Sequence, residues 1–169
     1  LAIDRPSEAA AVPEDGIVAM TVADVKGVKL AGLMFDAGPV NSPVLLQVGT
    51  QHAEKGQARE HNNWSDPADP TSLHDVFFRI GGPHVGKASV SLEVNSDNVL
   101  LDHIWAWRAD HGNGVGWTTN TGDNGVIING DHVTATGLFV EHYQQYNVIW
   151  NGEHGKTVFF QNELPYDAP

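Results

Sequence analysis

"NGDH" at Asn129–His132 and "NGEH" at Asn151–His154 set the same four kinds of residue between apolar runs, 22 positions apart (151 minus 129). "VNSDNV" at Val94–Val99 is a third, weaker copy, with Asn95 lying 34 positions (129 minus 95) before Asn129. Each copy reads as an apolar run, Asn, a small residue, an acid, Asn or His, and another apolar run. Constant anchors at variable spacing mark a solenoid whose coils differ in the loops inserted at one corner. Asn followed by Gly or Ser suits such a corner because Asn and Gly tolerate positive φ, and stacked asparagines can hydrogen-bond from coil to coil. The pattern predicts an all-β chain folded as a parallel β-helix. A β-sandwich is the alternative, since Asn-Gly is also the turn of a β-hairpin.

The rest of the chain fits strands better than helices. Short runs rich in Val, Ile, Leu and Phe, such as "PVLLQVG" (43–49), "ASVSLEV" (88–94) and "KTVFFQNEL" (156–164), alternate with Gly, Asn and Asp. That is the grammar of strands and turns. Residues 51–70, "QHAEKGQAREHNNWSDPADP", are polar and read as an excursion loop. The first 16 residues carry Pro6 and Pro13 and no strand pattern. The expectation is a single β-helix domain over residues 1–169, partial because the chain starts at Leu1 and stops after "PYDAP".

Composition narrows the partners. The 169 residues hold 21 Asp plus Glu against 9 Lys plus Arg, a formal net charge of -12. Nucleic acid and anionic membrane are poor partners for that surface. No apolar run approaches the roughly 20 residues of a spanning helix. With no Cys there is no disulfide, thiolate metal site or thiol nucleophile. Nine histidines invite a metal, with His103, Asp110, His111, His132, His142 and His154 as candidates, yet no HExxH or comparable short ligand set is present. "GVGWTTNTGDNG" lacks the strand, glycine loop and helix of a nucleotide site, so neither metal nor cofactor is expected.

Residues equidistant from the anchor Asn should stack on neighbouring coils. Twelve positions after Asn95, Asn129 and Asn151 stand Trp107, Glu141 and Glu163. Parallel strands lie about 4.8 Å apart, so the two acids should sit one above the other beside an aromatic ring. Like charges that close favour a protonated acid, the state a glycosidase needs to protonate a leaving oxygen. Around them "WAWRADHGNGVGW" (105–117) gathers Trp107, Arg108, Asp110, His111 and Trp117, a mixture suited to stacking on a sugar and hydrogen-bonding its hydroxyls.

From Leu30 onward, stretches including "LAGLMFDAGPVNSPVLLQVG", "SLEVNSDNVLLDHIWAWRADHG" and "GVIINGDHVTATGLFVEHYQQYNVIWNGEHGKTVFFQNELPYD" resemble bacterial secreted proteins related to family 55 glycoside hydrolases. The resemblance implies a right-handed, single-stranded, pectin-lyase-like parallel β-helix, one of two in an enzyme with its active site between them. It further implies an extracellular protein that hydrolyses β-1,3-glucan of the laminarin type with inversion. Glu163 in "FFQNELPYD" would be the general acid and Glu141 in "FVEHYQQY" its neighbouring carboxylate. Trp107, Trp117, Arg108, Asp110, His111 and Gln161 would bind sugar. Inverting pairs sit about 6.5–9.5 Å apart, wider than stacked neighbours, so Glu141 is not expected to be the base. The competing expectations are a non-catalytic module that binds glycan or protein, and an inactive piece whose open coil edge pairs with a second domain or another copy.

Overall fold

The computed structural model describes residues 16–50 and 65–169, so most of the polar excursion lies outside the described residues. Its strands fall alternately into two sheets. One sheet takes β1 (Met20–Val22), β3 (Ser42–Val48), β5 (Ala88–Val94), β7 (Gly122–Ile128) and β9 (Tyr146–Trp150) in that order. The other takes β2 (Lys29–Asp36), β4 (Ser72–Ile80), β6 (Leu100–Arg108), β8 (Thr134–Glu141) and β10 (Lys156–Glu163). Every pairing is parallel. Hairpins are antiparallel, so the Asn-Gly turns of a sandwich are excluded and a parallel β-helix fits the connectivity.

The core follows from period-two alternation read across coils. Leu46, Leu92, Val126 and Val148 form one inward column of the first sheet, and Leu33, Val76, Ile104, Leu138 and Phe160 form one of the second. Phe35 stacks on Phe78 at 5.2 Å between ring centroids. Alternation breaks once in each strand of the second sheet. Asp102 and His103 are both exposed, between buried Leu101 and Ile104. The break is a column of left-handed residues, Gly32, Asp75, His103, Gly137 and Phe159, with φ of 64, 51, 55, 67 and 62°. A left-handed residue bends the strand and resets which side faces inward. After the bend, residues 105 and 107 face out.

The repeated corner is built as the asparagine ladder the sequence suggested, but its left-handed residue is not in the Asn-Gly pair. Asn129 Nδ2 donates to Asn95 Oδ1 at 2.8 Å, and Asn151 Nδ2 to Asn129 Oδ1 at 2.8 Å. The acid extends the ladder: Asp131 N donates to Asp97 Oδ1 at 2.7 Å and Glu153 N to Asp131 Oδ1 at 2.8 Å. Left-handed backbone occurs at the fourth position, Asn98, His132 and His154, with φ of 56, 56 and 55°. In the second and third copies Gly is needed at the second position for space. A Cβ on Gly130 would stand 1.9 Å from Ser96 O, and one on Gly152 1.8 Å from Gly130 O. Gly130→Ala is therefore expected to cost about 3 kcal/mol, read as a lower urea midpoint, because the atom in the way is backbone of the coil beneath.

Candidate active site

Beyond the bend, β6, β8 and β10 each present two outward side chains: Trp105 and Trp107, Phe139 and Glu141, Gln161 and Glu163. Trp107 pairs in register with Glu141, and Glu141 with Glu163. The column continues through Arg79 and Asp36 on the earlier coils. Counting from the asparagine ladder thus lands on one physical face, and the two Trp belong to that surface, with Trp105 39% exposed.

The side chains then divide their work. Trp105 and Trp107 stack at 5.4 Å with their planes 24° apart, and His111 packs on Trp107 at 5.2 Å. Trp105 Nε1 donates to Glu141 Oε2 at 3.1 Å. Glu163 is held from the other side: Gln161 Nε2 donates to its Oε1 at 3.1 Å and the Tyr166 hydroxyl to its Oε2. The two carboxylates are neighbours in register, but each has its own donor. The Glu163 carbonyl accepts from His142 N and Asn147 Nδ2, both at 2.9 Å, which fixes its backbone. The bond to Glu163 raises the pKa of the Tyr166 hydroxyl, so this donor keeps its proton through neutral pH. Beside the Glu141 end lies a cavity of about 220 Å³ lined by His103, Trp105, Phe139 and Glu141.

Asp110 and His111 lie in the loop after β6, where His111 Nδ1 donates to Asp110 Oδ1 at 2.8 Å. Burial pushes Asp110 up, but the bond from His111 and the nearby His142 outweigh it and hold the carboxyl below its usual range. Arg108 is placed differently from the sugar-binding role expected of it. Arg108 shares the inward parity of Ile104 and Ala106 and is fully buried. Its guanidinium bonds Asp167 at 2.7 and 2.8 Å and the carbonyls of Asn120, His142 and Gly116, with Trp117 over it at 5.4 Å. Sequence reasoning passed over Tyr166, Asn147 and Arg79, and took His142 only as a metal candidate. Among the described residues no group of three or more His, Asp or Glu is arranged to hold a metal ion.

The family model described as the LAM55 pectate lyase-like domain matches residues 7–163. The chain belongs to this family. An exo-β-1,3-glucanase of Streptomyces sp. (strain SirexAA-E / ActE) is 56% identical over 158 residues, which cover 94% of this chain and 25% of that protein. A solved structure of sacteLam55A from Streptomyces sp. SirexAA-E matches with a TM-score of 0.82 at 56% identity, covering 94% of this chain and 27% of that one. A variant of sacteLam55A with a glutamate replaced by alanine, in complex with glucose, matches with the same TM-score at 55% identity and the same coverage. The chain thus spans about a quarter of the length of the relatives it matches.

Proposed function

We propose that this chain forms the acid-bearing face of an enzyme that hydrolyses β-1,3-glucan. What carries the reading is the column of Trp107, Glu141 and Glu163, with Trp105 stacked on Trp107 and bonded to Glu141. A flat aromatic pair suits the apolar face of a glucose ring, and a carboxyl at the end of that platform suits the glycosidic oxygen. Glu163 is the general acid, with Tyr166 and Gln161 aiming its carboxyl. Glu141, fixed by Trp105, orients sugar or supports the acid. Inversion needs a water on the opposite face of the ring, about 6.5–9.5 Å from the acid. Register neighbours are closer than that, so the water is activated by a group outside this column. Asp110, His111 and Gln161 hydrogen-bond sugar hydroxyls, while Arg108 acts from behind the face. We further infer a right-handed winding, the hand that parallel crossovers take in nearly all cases. The protein works outside the cell, where polymeric glucan is met.

The test is reducing-sugar release by the full-length protein from laminarin, with cellulose as the control. Release from laminarin alone is expected. Trp107→Ala should raise KM about 10-fold, the loss of roughly 1.4 kcal/mol of stacking. Retention by laminarin with no release would move the reading to a glycan-binding module. Neither release nor retention would remove the function and leave the fold.

A further inference from the structure

The outward column that carries Glu163, Glu141 and Trp107 does not stop at the tryptophan. It runs on to Arg79 and Asp36, one and two coils earlier. Arg79 has the outward parity of Phe77, opposite to buried Phe78 and Ile80, and 28% of its side chain meets solvent. Asp36 keeps only 9%. Arg79 Nε donates to Asp36 Oδ1 at 3.1 Å and Nη2 to Oδ2, and His84 Nε2 reaches the same Oδ2 at 3.1 Å. The Arg79 carbonyl accepts from Ala37 N at 2.9 Å, which fixes the backbone below the head group. The acid is thus covered by the groups it holds, while the guanidinium it holds stays open beside the tryptophan pair.

A guanidinium carries its N–H donors in one plane. Asp36 takes the edge made by Nε and Nη2, and among the described residues Nη1 on the opposite edge has no hydrogen-bond partner. The acid that braces Arg79 also cancels its charge, so an anionic ligand gains little there from Coulomb attraction, on a chain whose net charge is already -12. Neutral hydroxyls gain donors that are planar and already oriented. A sugar laid on the tryptophans presents such hydroxyls at its edge. Glu163 and Arg79 are three strand steps apart, about 14 Å at about 4.8 Å a step. One glucosyl unit does not reach both groups; a longer chain does.

We propose that Arg79, braced by Asp36, is a specificity-determining residue that donates hydrogen bonds to hydroxyls of a glucosyl unit remote from the bond being cleaved, so that the site favours long neutral glucan over short. The proposal rests on the reading of Glu163 as an acid acting on glucan and adds where along the column chain length is sensed. A clamp that only tied β2 to β4 would serve equally well with its guanidinium covered. Its loss would weaken every oligosaccharide alike, because the whole face would shift. A hydroxyl donor at the end of the column matters only to chains long enough to meet it. Arg79→Met should therefore lower affinity for laminarihexaose about 10-fold, the loss of a hydrogen bond from a charged donor, and leave laminaribiose unchanged.

The experiment uses the full-length protein. Dissociation constants for laminaribiose and laminarihexaose are measured by calorimetry in the Glu163→Gln background, with and without Arg79→Met, beside kcat/KM on the same sugars with Glu163 intact. A loss confined to laminarihexaose, falling on KM and not on kcat, is the expected result. Equal losses on both sugars, or none, overturn the proposal and leave Arg79 as a clamp. Should Arg79→Met not fold, Arg79→Lys decides: it keeps the ion pair with Asp36 but not the planar set of donors, and should show the same dependence on length. A protein that binds the longer sugar through Arg79 yet releases nothing would support this site and sink the hydrolytic reading. Hydrolysis with a length preference that Arg79→Met leaves intact would do the reverse, so the two fail separately.

Discussion

Glu163→Gln is expected to lower laminarin hydrolysis by about 10²–10⁴-fold, the contribution of a positioned general acid. The substitution changes little else. Gln keeps the shape; its one oxygen can still accept from Gln161, and its amide N–H can donate to the Tyr166 hydroxyl oxygen, so both groups that now hold Glu163 keep a partner. The backbone, pinned through the Glu163 carbonyl by His142 and Asn147, is untouched. What disappears is the proton. A glucoside whose leaving group needs no protonation, such as a dinitrophenyl glucoside, should therefore lose far less rate than laminarin does. Equal losses on both substrates would refute the acid role, since a proton donor acts only where the leaving oxygen must be protonated. Glu141→Gln should behave differently, because its carboxylate is bonded to Trp105 and not to the groups that aim Glu163. Its effect should fall on KM and kcat together, without discriminating between leaving groups.

The column was legible because a corner repeats chemically as well as geometrically. An asparagine ladder needs Asn at each coil, so Asn95, Asn129 and Asn151 remain visible although the loops between them differ in length. From the ladder to the site there is no insertion, and a constant count of twelve carries the register to Trp107, Glu141 and Glu163. The role of the corner acid was not legible. It serves to accept the backbone N–H of the next coil, a bond between coils that no local pattern announces. Nor was the reason for histidine. His103, His132, His142 and His154 are four of the seven non-glycine residues with positive φ among those described. Histidine is among the side chains that tolerate that region, so many of the histidines that suggested a metal are corner residues.

The bend explains the errors on the site itself. Strict alternation from Leu101 would turn Trp105 and Trp107 inward and Arg108 outward, and the left-handed residue at 103 reverses both. Counting from the bend instead gives 104, 106 and 108 inward. The contacts of Tyr166 and His142 were hidden for a related reason. Both lie past the end of a strand, where contact is set by how the chain leaves the sheet.

Arg108→Met should destabilise the full-length protein by about 3–5 kcal/mol, more than any single residue of the outward face. Met is close in volume and apolar, so the loss does not come from a cavity. It comes from what the guanidinium leaves behind: the Asp167 carboxylate and three carbonyls that accept from it. Breaking one side of a buried pair strands the other. Asp167 retains 31% side-chain exposure and can recover some hydration, which places the expectation toward the lower end of the range. Its pKa gives an independent check. The bond to Arg108 holds Asp167 below the ordinary carboxylate range, with burial opposing. A carboxyl with a depressed folded pKa contributes stability above its unfolded value, about 3.9, and loses it as pH falls through the folded value. The gap in urea midpoint between the unsubstituted protein and Asp167→Asn should thus be full at pH 7 and shrink below about pH 4. Arg108 stays charged throughout, so the change belongs to Asp167. An Arg108→Met protein as stable as the parent, or a gap that ignores pH, would mean that the tail is docked by its apolar contacts alone. The expected outcome makes Arg108 the link between core and site. It ties the segment carrying Tyr166 to the inside of β6, and Tyr166 in turn aims Glu163. A loss of Arg108 should then also cost activity under conditions where the fold survives, seen as a lower kcat with laminarin while KM, set by the tryptophan pair, changes little.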